Sequence, residues 1–217
     1  MKLISVNVGL PRDVIWKGRT VNTAIFKEPV AGRVALAALN LEGDRQADLK
    51  VHGGRDKAVY AYPAEHYDFW RGELPGVELP WGSFGENLTV EGLFEKEVNI
   101  GDRFRIGSAE FVVTQPRLPC FKLAVKFQRD DIIKRFLDSG RTGFYLAVTR
   151  EGNVGADDPI EIIERDASDV TVSDIVRLYL NGEEDWEGVR KASSLDALPD
   201  NWKTHFVHEL EKASARR

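Results

Sequence analysis

Three segments of the sequence carry residue types that bind anions, metals or heterocyclic ligands. The first joins a Gly53-Gly54 pair to His52, Asp56 and Lys57. Adjacent glycines let backbone N–H groups approach an anion closely, and a lysine adds a positive point charge. The spacing is that of neither a Walker phosphate loop nor a dinucleotide-binding fingerprint. We therefore treat this segment as a candidate anion site, with a tight turn carrying solvated charges as the alternative.

The second segment contains the only cysteine of the chain, Cys120, which follows Pro119 and lies between Arg117 and Lys122. Prolines fix the backbone, so the thiol has a defined direction. Cationic neighbours favour the thiolate, which is the form that binds metals and attacks electrophiles. The alternative is a small buried apolar residue, the commonest role of an unpaired cysteine.

The third segment is turn-like and ends in Asn87, whose amide offers donors and an acceptor to the edge of a heterocycle. Asparagine is also common in turns, so this signal is weak on its own. His52 is a potential zinc ligand, and His205 and His208 are three residues apart on one predicted helix face. A third or fourth ligand is not evident near that pair, which favours a packing or surface role.

The elements around these segments are mostly short strands. Alternating polar and apolar residues or short apolar runs predict strands at residues 2–8, 20–27, 34–41, 58–62, 144–149 and 160–165. A hairpin is predicted from residues 102–106 and 110–114 across a Gly107-Ser108 turn. Pro63 is expected at the first position of a helix that runs to Glu73, and residues 130–137 show helical spacing before Gly140.

The pattern changes after about residue 166. Three short helices are predicted at residues 173–181, with Ser173 as the cap, 184–191 and 201–212. Their apolar residues would form a small helical core. We therefore expect a β-rich body at residues 1–166 and a helical appendage at residues 167–217.

Composition limits the class of protein. The 217 residues are 42% hydrophobic and 30% charged, with a net charge of −5. This argues against general nucleic-acid binding but leaves room for a local basic pocket. The first residues lack the features of a signal peptide, and an apolar stretch of membrane-spanning length is not evident. One unpaired cysteine suits a reducing compartment. Together these features predict a cytoplasmic protein that does not associate with membranes.

Taken in order, the motifs of this sequence resemble those of the MOSC domain, named for its occurrence at the C-terminus of molybdenum-cofactor sulfurases. The matching motifs are Gly43-Asp44-x-Gln46-x-Asp48, His52-Gly53-Gly54-x-Asp56-Lys57-Ala58, Tyr62-Pro63-x-Glu65-His66-Tyr67, Phe84-Gly85-Glu86-Asn87-Leu88, Gly101-Asp102 and Gln115-Pro116-Arg117-x-Pro119-Cys120-x-Lys122-Leu123. They cover most of residues 1–165. The remaining residues resemble the three-helix domain of the stand-alone YiiM-like subgroup.

The resemblance implies a mainly β (α+β) fold. It would be a compact β-barrel related to the pyruvate-kinase barrel domain, with a few helices and a small C-terminal three-helix domain. It also implies the molybdenum cofactor (molybdopterin), whose phosphate, pterin and metal need cations, amides and a soft thiolate. In this sequence Cys120 is the expected metal ligand and catalytic residue. The expected cofactor-binding residues are His52, Gly53, Gly54, Asp56, Lys57, Asn87, Arg117 and Lys122.

The function implied by the resemblance is reduction of N-hydroxylated compounds such as 6-hydroxylaminopurine, with electrons from a separate flavoprotein reductase. His52 or Asp56 would supply the proton. Two alternatives stay open. One is a carrier of the cofactor or of sulfur without turnover of its own, and the other is a cysteine hydrolase that uses Cys120 with His52 or His66. The C-terminal helices are open to roles in packing, in homodimer formation or in docking the reductase.

Overall fold

The computed structural model describes residues 1–48 and 53–215, which form twelve β-strands and six α-helices. The strands are β1 Lys2–Val8, β2 Arg12–Trp16, β3 Arg19–Thr23, β4 Glu28–Pro29, β5 Arg33–Leu36, β6 Val59–Pro63, β7 Leu88–Glu91, β8 Arg103–Ile106, β9 Ala109–Pro116, β10 Phe144–Arg150, β11 Gly152–Gly155 and β12 Ile160–Glu164. The helices are α1 His66–Glu73, α2 Phe121–Phe127, α3 Ile132–Asp138, α4 Val172–Asn181, α5 Trp186–Ser193 and α6 Asp200–Ala215. Within the described residues, every helix is too short or too polar to cross a membrane.

Eight strands form one sheet in the order β12-β8-β9-β10-β6-β7-β1-β4. All neighbours are antiparallel except β6 and β7, which run parallel with Ala61 opposite Leu88. The free side of β1 also meets the residues that lead into β12. There Lys2 pairs with Pro159, and Leu3 N donates to Asp158 O at 2.9 Å. The two ends of the sheet therefore meet, and the sheet closes into a barrel.

The barrel interior follows from the alternation of side chains along its strands. In β8, Phe104 and Ile106 are buried, while Arg103 and Arg105 alternate with them on the more exposed face. Phe111 and Val113 of β9 repeat the pattern with the same period of two. A second, mostly aromatic cluster lies under α1, α2 and α3. It contains Tyr62, Tyr67, Trp70, Phe84 and Phe136 in mutual ring contact.

The mainly β fold with helices that the sequence predicts is confirmed, as are β1 and the hairpin of β8 and β9. The expectation that Pro63 opens a helix is wrong. Pro63 is the last residue of β6, opposite Val90, and α1 begins at His66. Ala64 N donates to Val90 O at 2.7 Å, so the parallel pairing continues past the proline before the chain turns into the helix.

The three C-terminal helices are present and pack on the barrel. Ser173 is not the cap of α4, because Thr171 and Asp174 form a capping box in which each side chain binds the other residue's backbone N–H. Ile175 and Leu178 of α4 join the same apolar cluster as the barrel strands. The division into two domains at residue 166 stays a prediction.

Candidate functional site

Cys120 lies at the point where β9 has left the barrel and α2 begins. Its backbone is extended, and Leu123 N donates to Cys120 O at 2.9 Å in the first turn of the helix. Pro119 precedes it and Phe121 opens the helix, so the position of the thiol is fixed on both sides. The side chain is half-buried. The thiol is therefore held in place at the barrel end with part of its surface accessible.

A pocket of about 90 Å³ opens beside this thiol, and we call it the cation pocket. It brings together five of the residues predicted from the sequence: Lys57, Asn87, Arg117, Cys120 and Lys122. They come from three separate places in the chain, because Arg117, Cys120 and Lys122 belong to one short segment. The charged residues among its described lining are Lys27, Asp44, Arg45, Lys57, Arg117 and Lys122.

Arg117 is the most deeply buried cation in the segment that carries the cysteine, with 5% of its surface exposed. Its guanidinium carbon lies 5.2 Å from the centre of the Tyr60 ring and 5.1 Å from that of Phe136. Burial alone would lower the pKa of Arg117. Electrostatic interactions with Tyr60, Tyr145 and Cys120 act in the opposite direction, and the pKa is raised. Its Nη1 has no hydrogen-bond partner among the described residues. A buried charged donor without a hydrogen-bond partner lowers the stability of the fold unless an anion accepts its hydrogen bond.

Asn87 and Asp44 form a hydrogen-bonded floor for the cation pocket. Asn87 Oδ1 accepts from Tyr60 N at 3.1 Å, and its Nδ2 donates to Asp44 Oδ2 at 2.9 Å and to Asn7 O at 3.3 Å. Lys27 forms a buried ion pair with Asp44. Burial lowers the pKa of Lys27, while Asp44 acts in the opposite direction. Both amide hydrogens of Asn87 are thus engaged within the protein, and its predicted contact with a pterin stays a prediction.

The sequence analysis did not single out Lys27, which lies in the chain far from the other charged lining residues. The sequence motifs included only its ion-pair partner Asp44, in the Gly43-Asp44 motif. A lone lysine after an apolar strand gives no local signal of burial, since lysine is almost always exposed.

Lys57 and Lys122 add two further positive charges. Lys57 ends a short 3-10 helix, Arg55–Lys57, and Lys122 lies in the first turn of α2. Burial lowers the pKa of Lys57, whereas Asp56 and Cys120 act to raise it. A lysine with a lowered pKa gives up its proton more readily than an exposed one. Lys57 can therefore serve as a cation or as a proton donor.

Gly53, Gly54 and Asp56 line a neighbouring depression of about 420 Å³ together with Lys57, Gln115, Pro199 and Asn201. We call it the glycine depression. Gly54 has φ +91°, and its surroundings leave open space where a side chain would stand. The backbone O of Asp56 accepts from Thr114 Oγ1 at 2.7 Å. That these three residues bind a cofactor stays a prediction. His52 lies outside the described residues.

His66 is placed away from the cysteine. It is buried beneath the barrel end, with Nε2 2.8 Å from Glu95 Oε2 and its ring 5.4 Å from that of Tyr62. Glu95 in turn accepts from Gly143 N at 2.6 Å. His66 does not line the cation pocket. A hydrolase that pairs Cys120 with His66 therefore gains no support from this geometry.

The donor set of the cation pocket fits an anionic ligand that carries a soft metal. The Arg117 Nη1 hydrogen is available to a phosphate oxygen, and Lys57 and Lys122 supply compact positive charges. The Cys120 thiol is a soft sulfur ligand, a type that binds transition metals as the thiolate. Tyr60, Tyr145 and Leu118 provide flat or apolar surface for a ring system.

Comparison with known proteins agrees with the fold. The family model of the MOSC domain matches residues 48–161. The chain is 39% identical to the protein YflK of Bacillus subtilis (strain 168) over 210 residues, which are 97% of this chain and 95% of that protein. It is 41% identical to the protein YiiM of Escherichia coli (strain K12) over 182 residues, which are 83% and 81% of the two chains.

Solved structures show the same fold. The crystal structure of YiiM from Geobacillus stearothermophilus has a TM-score of 0.81 and 33% identity, over 96% of this chain and 98% of that one. YiiM from Escherichia coli gives 0.78 and 30%, over 98% and 94%. A protein of Gibberella moniliformis with the name reductase is 35% identical over 151 residues, which are 68% of this chain and 27% of that protein. The chain therefore belongs to the MOSC domain family, which is associated with the molybdenum cofactor.

Proposed function

We propose that this protein binds the molybdenum cofactor in the cation pocket and reduces N-hydroxylated compounds, with 6-hydroxylaminopurine as the model substrate. One observation supports this more than any other. The only cysteine of the chain shares a pocket with Arg117, a buried guanidinium whose Nη1 has no hydrogen-bond partner among the described residues. A soft ligand and an unsatisfied anion-binding donor in one pocket are the pair that a phosphate-bearing metal cofactor requires.

In this proposal Arg117, Lys57 and Lys122 hold the phosphate, and the Cys120 thiolate is the metal ligand. A charge-assisted hydrogen bond contributes about 1.5–3 kcal/mol, so Arg117 alone accounts for a large part of the affinity for the anion. Asn87 and Asp44 keep the pocket floor rigid through the bonds to Tyr60 N and Asn7 O. The cofactor, when bound, would supply the two-electron redox chemistry.

Reduction of an N–OH group breaks the N–O bond, consumes two electrons and two protons, and gives an amine and one water. The protein supplies at least one of these protons. Lys57 is favoured over Asp56 as the donor, because Lys57 lines the pocket with Cys120 while Asp56 lines only the glycine depression. The lowered pKa of Lys57, caused by burial, suits this role. His52 stays an alternative donor.

We further propose that a separate flavoprotein reductase provides the electrons. The fungal relative named reductase matches this chain over 27% of its own length, so the rest of that protein is additional sequence. Its name favours a redox role over that of a carrier.

The test is to express the protein in a host that makes the cofactor and to measure molybdenum and oxidised pterin per chain, beside Cys120→Ala and Cys120→Ser. Reduction of 6-hydroxylaminopurine is then followed with reduced methyl viologen as an artificial electron donor. We expect near-stoichiometric metal and turnover in the wild type. We expect metal and turnover to fall in both variants, with pterin partly retained through Arg117 and the lysines.

Two results would contradict the proposal. A Cys120→Ala protein that reduces the substrate at the wild-type rate would remove the thiolate from the mechanism. A wild-type protein that holds the cofactor, passes it to an acceptor enzyme and reduces nothing would be a carrier.

A further inference from the structure

Glu65 and His66, where α1 begins, both bind the loop that follows β7. Glu65 Oε1 accepts from Gly92 N at 2.8 Å. His66 Nε2 lies 2.8 Å from Glu95 Oε2 and 3.1 Å from Glu95 Oε1. His66 and Glu95 are 7% and 4% exposed, so their contact lies in the protein interior. A buried polar pair that is hydrogen-bonded holds its two elements in one geometry. The pair therefore fixes the loop against the start of α1.

The carboxylate of Glu95 also binds the turn that precedes β10. Its Oε1 accepts from Gly143 N at 2.6 Å. Gly143 has φ +62°, and a side chain there would place its Cβ 2.5 Å from Ala61 O. Only glycine can adopt this conformation in so little space, so the turn cannot move closer to β6. Glu95 thus connects His66 on one side with the backbone of Gly143 on the other.

Arg117 is attached to the same turn in two ways. Arg117 N donates to Gly143 O at 3.3 Å. Tyr60 Oη donates to Thr142 O at 2.8 Å, and the Tyr60 ring centre lies 5.2 Å from the guanidinium carbon of Arg117. The turn of Thr142 and Gly143 therefore fixes both the backbone of Arg117 and one of the rings on which its guanidinium lies.

The direction of the Arg117 guanidinium matters for binding an anion. Its Nη1, the atom that is available to an anion, has no hydrogen-bond partner among the described residues. Its position consequently depends on the backbone of Arg117 and on the Tyr60 and Phe136 rings. A hydrogen bond weakens steeply once its angle departs from linearity. A small displacement of the turn would therefore weaken the bond that Arg117 donates.

We propose that Glu95, oriented by His66, is a positioning residue that sets the anion affinity of the cation pocket through Arg117. This inference rests on the proposed function, in which the anion is the phosphate of the cofactor. Glu95 is not among the described lining residues of the pocket. Its negative charge by itself would repel an anion, so its benefit comes from where its oxygens are placed. Charge and placement therefore predict opposite effects of substitution.

Three variants separate the placement of the carboxylate from its charge. Glu95→Asp keeps the charge but withdraws the oxygens by one C–C bond, about 1.5 Å, which breaks the contact with Gly143 N. Glu95→Gln removes the charge but keeps an oxygen that can accept from Gly143 N. His66→Ala keeps the carboxylate and removes the group that orients it.

The matched control is Asp102→Glu, which displaces a second buried carboxylate by the same one bond. Asp102 is 0% exposed, and it accepts from Asn99 N and from Asp166 N, both at 2.9 Å. It is not among the described lining residues of the cation pocket. The control is therefore expected to lower stability without changing the affinity for an anion. Urea melts of all the variants show how much stability each one loses.

The probe is pyrophosphate, titrated by calorimetry into cofactor-free protein from a host that does not make the cofactor. We expect Glu95→Asp to weaken binding about tenfold, a loss within the range of one charge-assisted hydrogen bond. His66→Ala should weaken it about threefold, while Glu95→Gln and Asp102→Glu should stay within about twofold of the wild type. Tighter binding in Glu95→Gln with unchanged binding in Glu95→Asp would show that only the charge acts, and would overturn the inference.

A double-mutant cycle with Arg117→Met tests whether Glu95 acts through Arg117. In the Arg117→Met background, Glu95→Asp should change the pyrophosphate affinity by less than about twofold, because the residue that it positions is absent. A further tenfold loss in that background would show that Glu95 supports the pocket as a whole and would overturn the inference. If Glu95→Asp does not fold, the cycle is run with His66→Ala, whose threefold loss must likewise disappear.

The inference and the proposed function can fail separately. A wild type that shows the expected pyrophosphate pattern but retains neither molybdenum nor pterin would leave the positioning of Arg117 intact while the proposed function fails. A wild type that retains the cofactor and reduces the substrate, with unchanged pyrophosphate and pterin affinity in Glu95→Asp, would overturn this inference alone. So would a wild type that binds no pyrophosphate at millimolar concentration.

Discussion

Replacement of Arg117 by methionine should have opposite consequences with and without the bound cofactor. Without it, the change removes a buried charge whose Nη1 lacks a partner among the described residues, which relieves about 1–3 kcal/mol. The same change removes two cation–ring contacts, with Tyr60 and Phe136, each contributing about 0.5–2 kcal/mol. Methionine is unbranched and fills most of the space. These effects nearly cancel, so the free energy of unfolding of the cofactor-free protein should change by less than about 1 kcal/mol.

With the cofactor bound, the charge-assisted bond to the phosphate is lost, and about 1.5–3 kcal/mol of binding free energy goes with it. Retention of pterin should therefore fall roughly 10- to 150-fold in a dialysis assay. Urea unfolding of loaded and unloaded protein, with pterin determined in each, separates the two effects. The reasoning is refuted if the variant loses more than about 3 kcal/mol of unfolding free energy both with and without the cofactor, yet retains pterin normally. Arg117 would then be a structural residue.

Two further predictions concern the other charged residues of the cation pocket. Lys57→Arg keeps the positive charge but does not release a proton, so kcat should fall about 100-fold while the pterin content stays unchanged. In the wild type, the rate should decline as the pH rises through the lowered pKa of Lys57, because the proton donor is then lost. An unchanged rate in the variant would assign Lys57 to binding alone. Asp44→Asn leaves Lys27 buried without its counter-charge and should lower the free energy of unfolding by about 3 kcal/mol in urea melts, whereas Asp13→Asn on the exposed hairpin should change it by less than about 0.5 kcal/mol.

The sequence pointed to five of the residues that line the cation pocket, because these residues occur in short motifs with strong local character. Arg117, Cys120 and Lys122 are close in the chain, and their grouping is visible without a fold. Helix α2 was not predicted, although it begins directly after the cysteine. Its buried residues Leu123, Ala124 and Val125 are consecutive, so the segment lacks helical periodicity.

The contact of the C-terminal helices with the barrel near Cys120 could not be predicted in the same way. Helical periodicity placed Tyr179 and Trp202 on apolar helix faces, and it was consistent with a packing role for them. Trp202 is fixed to the strand that leads to Cys120 by its hydrogen bond to Gln115, which is 87 residues away in the chain. No pattern within one helix specifies which strand it packs against, since that choice depends on the complementarity of whole surfaces. His205 was interpreted as a packing or surface residue because a third or fourth metal ligand was not evident near His205 and His208.

The cation pocket is positively charged although the whole chain is negatively charged, and the ion pair between Lys27 and Asp44 at the pocket floor explains this difference. The chain carries a net charge of −5. Among the described lining residues of the pocket, Asp44 is the one acidic side chain, and it is neutralised by Lys27. The other charged lining residues, Arg45, Lys57, Arg117 and Lys122, are all basic. In a pocket partly shielded from water their combined field is stronger than at the surface. The buried Lys27–Asp44 pair thus cancels the acidic charge of the pocket, and the pocket can attract an anion although the chain as a whole is negative.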